Sequence, residues 1–341
     1  MSTNVNMTNK FGKYKYFKIG ELGGGGIIVS YKCTNRCRHC LVVGAPEREN
    51  IWIKPEFLDL VYKTIKKSGP NVQMHIGGGE TFLNPECCLY SMELAAKNDI
   101  FVDYIETNGF WGGDKAKYMP LLRELKKLGL KSILISVSPF HSEFIKPQAT
   151  TDAIAAVKEV FGPEGAFVWI PDFLNVFDMI DMDKPLKIDK LPERFLKMIP
   201  DMYYLIPGGR AGYLGEKFFK KWPAKTFFMT DCVREFASTA HFHIDYMGNY
   251  MPGGLCGGIS ICDYTEIGTS ITLDDKPILS ALINGGIKSL FDFAVNDYGY
   301  VPDPDGYCGK CHLCVDIRKF LYDKCDFKEL KPAEFYKFLK K

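Results

Sequence analysis

The 341-residue chain has no apolar run close to the ~20 residues that a membrane-spanning helix needs, and its first ten residues lack the apolar stretch of a secretory signal. It also has little net charge, +2 at neutral pH, so the overall electrostatic field of the protein does not favour binding to nucleic acid or to an anionic membrane. Basic clusters interleaved with aromatic residues are missing too. We therefore expect a cytoplasmic protein that binds no membrane, and nucleic-acid binding is disfavoured.

The composition is that of an ordinary folded protein, with 46% hydrophobic and 25% charged residues. Its length exceeds the usual single-domain size of roughly 100 to 200 residues, which favours a large domain plus a smaller one. Cysteine is abundant, with 12 residues. In a reducing compartment so many cysteines indicate metal binding or catalysis rather than a disulfide framework.

Apolar β-branched runs alternate with segments of helical periodicity through the first 210 residues. The runs predict six strands, at 27–31, 72–76, 101–106, 132–137, 166–170 and 202–206. This alternation predicts a parallel α/β sheet, a partial (β/α)6 TIM-like barrel whose working face lies at the carboxyl ends of the strands. We expect three regions, a polar tail at 1–20, the barrel at 21–215, and a loop-rich, cysteine-containing auxiliary domain at 216–341.

Three cysteines, Cys33, Cys37 and Cys40, follow the first predicted strand directly. Three thiolates from one short loop can ligate three irons of a four-iron cluster and leave the fourth iron open to a chelating ligand. Spacing alone also permits a zinc site completed by His39, or unligated thiols. A glycine loop, 77–80, ends the second strand and is therefore expected at the same rim of the barrel.

The CxxxCxxC spacing and the GGE-type loop together resemble the radical S-adenosylmethionine (SAM) superfamily, over residues from about 25 to 210. The resemblance implies an oxygen-sensitive 4Fe–4S cluster that chelates SAM, an external one-electron donor of flavodoxin or ferredoxin type, and a 5′-deoxyadenosyl radical that abstracts hydrogen from substrate. It also implies a set of cofactor-binding residues, with satisfied turn or rim polar residues as the alternative for several of them: His39, Gly77, Gly78, Gly79, Glu80, Asn108, Ser136 and Arg210.

Each of these residues has an expected contact. The glycine loop would face the SAM amino group with Glu80 as counter-charge, Asn108 and Ser136 would hold the ribose or the carboxylate, and Arg210 would pair with the carboxylate. His39 replaces an aromatic that often packs on adenine in the family, and Ser138 replaces an acidic residue.

Two residues are candidates for proton transfer and are taken as catalytic, His141 and Asp245, with His241 and His243 as further candidates. Alternation around His243 is equally typical of a packing pattern. The vicinal pair Cys87 and Cys88 is expected to be buried and inert.

Seven cysteines lie in the C-terminal part, more than one four-ligand site needs: Cys232, Cys256, Cys262, Cys308, Cys311, Cys314 and Cys325. Structural zinc and iron–sulfur sites use similar spacings. The order of Cys232, a hairpin at Gly248 and Cys256 resembles the SPASM/twitch extension, which implies one or two auxiliary iron–sulfur clusters. We expect Cys232, Cys256, Cys262 and Cys325 to hold one cluster, and Cys308, Cys311 and Cys314 to hold another.

Relatives with this extension mostly modify peptides or proteins, so oxidative modification of a peptide or protein is the leading hypothesis. Only about 25 residues precede the first strand, fewer than an independent recognition domain of ~40 residues needs, which predicts a separate peptide-recognition protein. A second hypothesis is dehydrogenation or rearrangement of a small metabolite such as a sugar or aminocyclitol. A third, of another class, is a non-catalytic iron–sulfur or zinc scaffold.

Overall fold

The computed structural model describes residues 14–253 and 257–340, which contain ten strands in two sheets. The strands are β1 (Tyr16–Lys18), β2 (Gly24–Ile28), β3 (Gln73–Gly77), β4 (Phe101–Thr107), β5 (Ser132–Ser136), β6 (Ala166–Trp169), β7 (Phe242–Asp245), β8 (Asn249–Met251), β9 (Cys262–Asp263) and β10 (Ser270–Thr272). The main sheet has the order β6-β5-β4-β3-β2-β7-β8-β9, while β1 pairs with β10 in an antiparallel ribbon.

Six neighbouring strands of the main sheet, from β6 to β7, are parallel, and β8 and β9 continue it in antiparallel pairing. Helices connect the strands: α1 (Pro55–Ser68), α2 (Pro85–Lys97), α3 (Lys115–Lys127), α4 (Pro139–Ser142), α5 (Pro147–Phe161), α6 (Leu174–Phe177), α7 (Glu193–Met202), α8 (Val233–Ala237), α9 (Pro277–Tyr298), α10 (Lys310–Tyr322) and α11 (Ala333–Phe338). The predicted α/β fold with a parallel sheet is confirmed.

The sixth parallel strand is not the one that the sequence predicted. Residues 203–207 form no strand, because the chain turns there: Tyr204 has φ 49° and the Leu205 N–H donates back to the carbonyl of Pro200 at the end of α7. The sixth strand is instead β7, which pairs with β2 at the opposite side of the sheet from β6. The sheet therefore crosses the boundary predicted at residues 215 and 216, and that division stays a prediction.

The helix α2 shows how local sequence sets an element that supports the site. Its first residue is Pro85, and the Asn84 side chain accepts the N–H of Cys87, which satisfies one of the donors left free at a helix start. Cys87 and Cys88 are both buried in the core beneath the sheet. The expectation that these two thiols are buried is confirmed.

Among the described residues one helix, α9, is long and apolar enough to cross a membrane by length and composition. Gly286 interrupts it with a left-handed φ of 64°, and 61% of its most apolar stretch is buried inside the protein. These two observations are typical of a core helix.

The turn after β4 gives a matched test of packing. A Cβ added at Gly112 would lie 1.8 Å from the Ala149 carbonyl oxygen of α5, whereas one at Gly113 would meet nothing closer than the Ala149 side chain at 3.9 Å. We expect Gly112→Ala to lower the free energy of unfolding by about 2 kcal/mol or more, the usual cost of overpacking a core. Gly113→Ala should change it by less than ~0.5 kcal/mol, as surface substitutions do. Equal denaturation midpoints for the two variants would contradict this packing.

Candidate functional site

The cysteine loop leaves the carboxyl end of β2 and is fixed by its own backbone. The Cys33 N–H donates to Ala45 O over 3.2 Å, and the Cys40 N–H donates to Cys37 O over 3.2 Å. All three thiols line one cavity of about 330 Å³ at the carboxyl ends of the strands. The sequence prediction that the three cysteines meet at this rim is thus met by the geometry.

The environment of the thiols disfavours their free ionised form. Burial, and then the charge of Glu80, raises the pKa of Cys33 to about 12, and burial raises the pKa of Cys37 well above its usual range. One backbone N–H opposes this effect at Cys33, since Asn35 donates to Cys33 Sγ over 3.4 Å. The Gly44 N–H donates to Cys40 Sγ, also over 3.4 Å. A bound metal is the agent that deprotonates such thiols outright.

Two buried nitrogens beside this loop test whether a cluster with SAM fits here. Arg210 Nη1 and His39 Nδ1 have no hydrogen-bond partner among the described residues. Buried polar atoms are rarely left unpaired, so a group rich in acceptors is expected next to them. In the part of the chain described, the one group of three metal-ligating side chains with all ligand atoms within 4.8 Å is His75, His241 and His243. The cysteines and His39 therefore do not form a compact zinc site, and their wider spread suits a multi-iron cluster.

The glycine loop lies directly against the chain that enters the cysteine loop. The N–H groups of Gly79 and Glu80 donate to Ser30 O and Lys32 O, both over 2.8 Å. A Cβ at Gly79 would lie 2.0 Å from Lys32 O, and Gly78 has a φ of 128° that L side chains rarely adopt. Gly78 and Gly79 therefore allow the two loops to touch. Both residues also line the cavity.

Gly77, by contrast, leaves room for a side chain of the neighbouring strand. A Cβ there would lie 2.5 Å from Glu106 Oε2 on the neighbouring strand β4. The residue is not part of the cavity wall. Its expected role beside SAM is thus replaced by one in seating Glu106.

Glu80 does not face the cavity and is not available as a counter-charge for SAM. Its carboxylate accepts the Phe82 N–H over 3.0 Å, the Thr107 hydroxyl over 2.7 Å and the Asn108 N–H over 2.7 Å. Burial raises the pKa of this carboxyl to about 7. Glu80 therefore joins the glycine loop to the end of β4 and positions Asn108.

Asn108 and Ser136 both line the cavity, at the ends of β4 and β5. The Asn108 side chain is already engaged, because its Nδ2 donates to Thr34 Oγ1 over 2.8 Å and lies 3.7 Å from Cys33 Sγ. It fastens the cysteine loop to the barrel. A contact of Asn108 and Ser136 with SAM stays a prediction.

Arg210 braces the cysteine loop from behind. Its Nε donates to Cys37 O over 3.0 Å, its Nη2 donates to Gly44 O over 2.5 Å, and its own N–H donates to Cys40 O over 3.1 Å. The side chain is buried and does not line the cavity, and its pairing with the SAM carboxylate stays a prediction.

His39 and His141 lie together on one wall. The His39 ring stacks on Phe140 at 4.7 Å and meets the rings of His141 and Tyr203 edge-on at 4.9 and 5.1 Å. The Ser138 hydroxyl lies 2.8 Å from His141 Nδ1. Burial lowers the pKa of His141 to about 4, so this ring is neutral at physiological pH. A neutral imidazole facing the cavity can accept or donate a proton.

Asp245 is engaged in hydrogen bonds inside the protein, and a catalytic role for it stays a prediction. It is fully buried in β7 and does not line the cavity. Its carboxylate accepts the Tyr31 hydroxyl over 3.0 Å, the Met247 N–H over 2.9 Å and the Asn249 N–H over 3.0 Å. These bonds hold the β7–β8 hairpin, because the short turn leaves its N–H groups inside the protein.

Sequence reasoning missed several residues that line the same cavity: Tyr104, Glu106, Trp169, Tyr203 and Tyr204. Tyr104 and Glu106 lie on either side of the buried Ile105 along β4. Side chains alternate between the two faces of a strand. A polar residue near the carboxyl end of a barrel strand, on the face opposite to the helices, is therefore expected to point into the barrel.

The C-terminal cysteines group differently from the prediction. Cys232, Cys311 and Cys314 line a second, small cavity together. Cys308 lies beside His312, with its Sγ 3.3 Å from Nδ1. Cys262 in β9 and Cys325 after α10 do not line this cavity, because β9 carries Cys262 along the main sheet and Cys325 follows the far end of α10.

Cys256 lies outside the described residues, next to Gly257, which lines the second cavity. Gly208 separates the two cysteine-lined cavities. A Cβ there would lie 3.4 Å from Leu41 Cδ2 on one side and 3.7 Å from Cys311 Cβ on the other.

Comparison with known proteins agrees with this geometry. The model of the radical SAM superfamily matches residues 27–162. A curated relative, "Putative peptide biosynthesis protein YydG" of Bacillus subtilis (strain 168), is 27% identical over 115 residues, which are 34% of this chain and 35% of that protein. The chain thus spans about a third of the length of the curated relative it matches.

Two solved structures show weaker likeness. BtrN in complex with AdoMet and 2-DOIA has 14% identity and a TM-score of 0.39, over 73% of this chain and 81% of that one. Native anSMEcpe with bound AdoMet and Cp18Cys peptide has 15% identity and a TM-score of 0.29, over 93% of this chain and 95% of that one. Such low TM-scores carry no argument about substrate.

The superfamily match covers β2 to α5, the segment that supplies the cysteine loop, the glycine loop, Asn108 and Ser136. Members of the superfamily are enzymes that use a 4Fe–4S cluster and SAM. Through residues 27–162, which supply the cysteine loop and the glycine loop, this chain is similar to the radical SAM superfamily.

Proposed function

We propose that this enzyme modifies a peptide or protein oxidatively, after abstraction of a hydrogen atom from it. Cys33, Cys37 and Cys40 would hold the 4Fe–4S cluster, and the cavity wall at Gly78, Gly79, Asn108 and Ser136 would hold SAM. When bound and reduced by an external one-electron donor of flavodoxin or ferredoxin type, the pair supplies a 5′-deoxyadenosyl radical. The residues of the chain hold and orient the reactants and exclude side reactions.

The observation that carries the peptide substrate is the edge of the sheet beside the cavity. Strand β6 pairs with β5 on one side and has no second strand partner among residues 14–253 and 257–340. Its Trp169 lines the cavity and is 41% exposed, and Phe167 is also 41% exposed. An extended peptide can add to such an edge through main-chain hydrogen bonds and place a side chain into the adjoining cavity.

The name of the curated relative supports the same class of substrate, because that protein is described as a peptide biosynthesis protein. The match lies within a third of each chain, so it supports the class of substrate and no particular peptide. A separate recognition protein would deliver the peptide to the edge of the sheet.

The oxidative outcome is supported by the second group of thiols. Cys232, Cys311 and Cys314 line a small cavity whose wall at Gly208 lies between Leu41 of the cysteine loop and Cys311. Cysteine thiolates from such a group are the ligands that iron–sulfur clusters use. We propose that they would hold an auxiliary cluster that takes the second electron from the substrate, while the accompanying proton passes to a neutral imidazole of the cavity such as His141.

The test uses the anaerobically reconstituted enzyme, SAM, dithionite and synthetic peptides encoded beside its gene. We expect one peptide to increase 5′-deoxyadenosine formation and to lose two hydrogen atoms in its mass spectrum. Substituting Trp169→Ala should raise the KM for the peptide by about tenfold, the effect of losing one aromatic contact. 5′-Deoxyadenosine formation without peptide should stay unchanged.

The matched control is Trp222→Ala, since Trp222 is similarly exposed, at 43%, but lies outside the cavity. It should leave the KM for the peptide unchanged. Stimulation by a small metabolite and by none of the peptides would contradict the proposal. So would an equal rise in KM for both tryptophan variants.

A further inference from the structure

Three histidines meet on the wall of the barrel beneath the cysteine loop. His75 belongs to β3, His243 belongs to β7, and His241 precedes β7 by one residue. Their ring nitrogens all lie within 4.8 Å of one another. His75 Nε2 and His243 Nε2 are 3.2 Å apart. For comparison, two nitrogens bound to the same tetrahedral zinc at ~2.0–2.1 Å are separated by about 3.3 Å.

The sheet is built so that these rings can meet. Strand β2 lies between β3 and β7, and Gly26 is directly in register with both His75 and His243. A Cβ at Gly26 would lie 2.2 Å from His75 Nε2 and 2.8 Å from His243 Cδ2. Because Gly26 of β2 has no side chain, the imidazoles on the neighbouring strands β3 and β7 face each other in the space that it leaves.

A carboxylate completes the arrangement. Glu106 Oε1 lies 3.6 Å from His75 Nε2 and faces the cavity from β4. Its position again depends on a glycine, because a Cβ at Gly77 would lie 2.5 Å from Glu106 Oε2. The ring of His75 is held in plane by stacking on Tyr104 at 5.0 Å, which limits its orientation.

The protonation state of the three rings is the one that a metal needs. Burial lowers the pKa of His75 to about 3, lowers the pKa of His243 well below its usual range, and lowers that of His241. All three imidazoles are therefore neutral at physiological pH, and each carries a lone pair. Three neutral imidazole nitrogens are a donor set that zinc uses.

We propose that His75, His241 and His243, assisted by Glu106, bind one divalent metal ion of the zinc type at the floor of the cavity. Three protein nitrogens leave a coordination position, as in zinc sites that bind an exchangeable ligand. His241, His243 and Glu106 line the same cavity as the cysteine loop, so this position faces the space for the substrate. The open coordination position would take a polar oxygen atom of the substrate as its ligand.

The test measures zinc without any substrate and is therefore independent of the peptide reaction. Full-length protein is first reconstituted with iron and sulfide so that the cysteine thiols are occupied, then dialysed against zinc and desalted. We expect about one zinc per chain, with light nitrogen or oxygen ligands at ~2.0 Å in X-ray absorption. His243→Asn and His241→Asn should each lower retained zinc at least tenfold.

His141→Asn is the matched control, because His141 lines the same cavity but is not one of the three converging rings. It should retain the zinc. Since His241 is only partly buried, His241→Asn tests the site even where His243→Asn fails to fold, and equal iron content in the variants reports folding. Zinc absent from the wild type, zinc retained at the wild-type level by both variants, or zinc with sulfur ligands at ~2.3 Å would each overturn the proposal.

Discussion

Replacing Cys37 with alanine should abolish the SAM-responsive electron paramagnetic resonance signal of the reduced protein and lower the rate of SAM cleavage on the order of a thousandfold or more. Cys37 is the most buried thiol of the cysteine loop, at 6% exposure. Its loss would leave two thiolates where we propose that three hold the cluster, and no described side chain completes a compact site with them.

The matched control for this substitution is Cys87→Ala, because Cys87 is equally buried but lies in α2, away from the cavity. It should retain the signal and the full iron content. In Cys37→Ala, the iron that remains is expected to be the share held by Cys232, Cys311 and Cys314. A Cys37→Ala protein with wild-type iron and a SAM-responsive signal would contradict the assignment of the cysteine loop.

Glu80→Gln should lower the free energy of unfolding by about 2 kcal/mol, the range for hydrogen bonds to a charged group. The carboxylate accepts N–H groups on both oxygens, from Phe82 on one and from Asn108 on the other. A glutamine amide must turn its NH2 toward one of these two donors, whichever way it is placed. One buried N–H then loses its acceptor.

The same substitution should weaken the cluster, since Asn108 holds the cysteine loop through Thr34. Iron content after repeated desalting and the midpoint of urea denaturation are the two measurements. Glu93→Gln is the control, because Glu93 is exposed on α2 and should shift stability by less than ~0.5 kcal/mol. A Glu80→Gln protein as stable as Glu93→Gln, with undiminished iron, would show that Glu80 does not brace the site.

The parts of the fold that the sequence predicted correctly are those with local signals. The loops that follow β2 and β3 contain the cysteines and the glycines, and so the cysteine loop and the glycine loop could be placed at one rim. The strand β7 could not be assigned to the barrel sheet, because its pairing with β2 joins residues more than 200 positions apart in the chain. Local propensity carries no information about such pairing.

The roles of the site residues divide in the same way, into those that follow from local sequence and those that depend on tertiary structure. The thiols were predictable because their chemistry follows from residue type and spacing. Glu80, Arg210 and Asp245 were assigned to SAM or to catalysis, yet the structure uses all three to hold backbone groups. Whether a buried charge faces a ligand or a loop depends on the tertiary position of the donors around it, which sequence spacing does not give.

The grouping of the C-terminal cysteines illustrates the same limit. Cys232 and Cys311 are far apart in sequence and meet only because α8 and α10 pack around a common cavity. Similarly, the meeting of His75 with His243 depends on Gly26 in a strand between them. His243 lies in β7, and its pairing with His75 follows from the sheet order, which the sequence does not give.

The most direct test of the central claim is formation of 5′-deoxyadenosine from SAM by the anaerobically reconstituted wild-type enzyme under dithionite, measured by liquid chromatography and mass spectrometry. We expect 5′-deoxyadenosine and methionine in equal amounts from the wild type, and neither from Cys37→Ala. A wild-type protein with its full iron content that forms no 5′-deoxyadenosine, or a Cys37→Ala variant that forms as much as the wild type, would contradict the account.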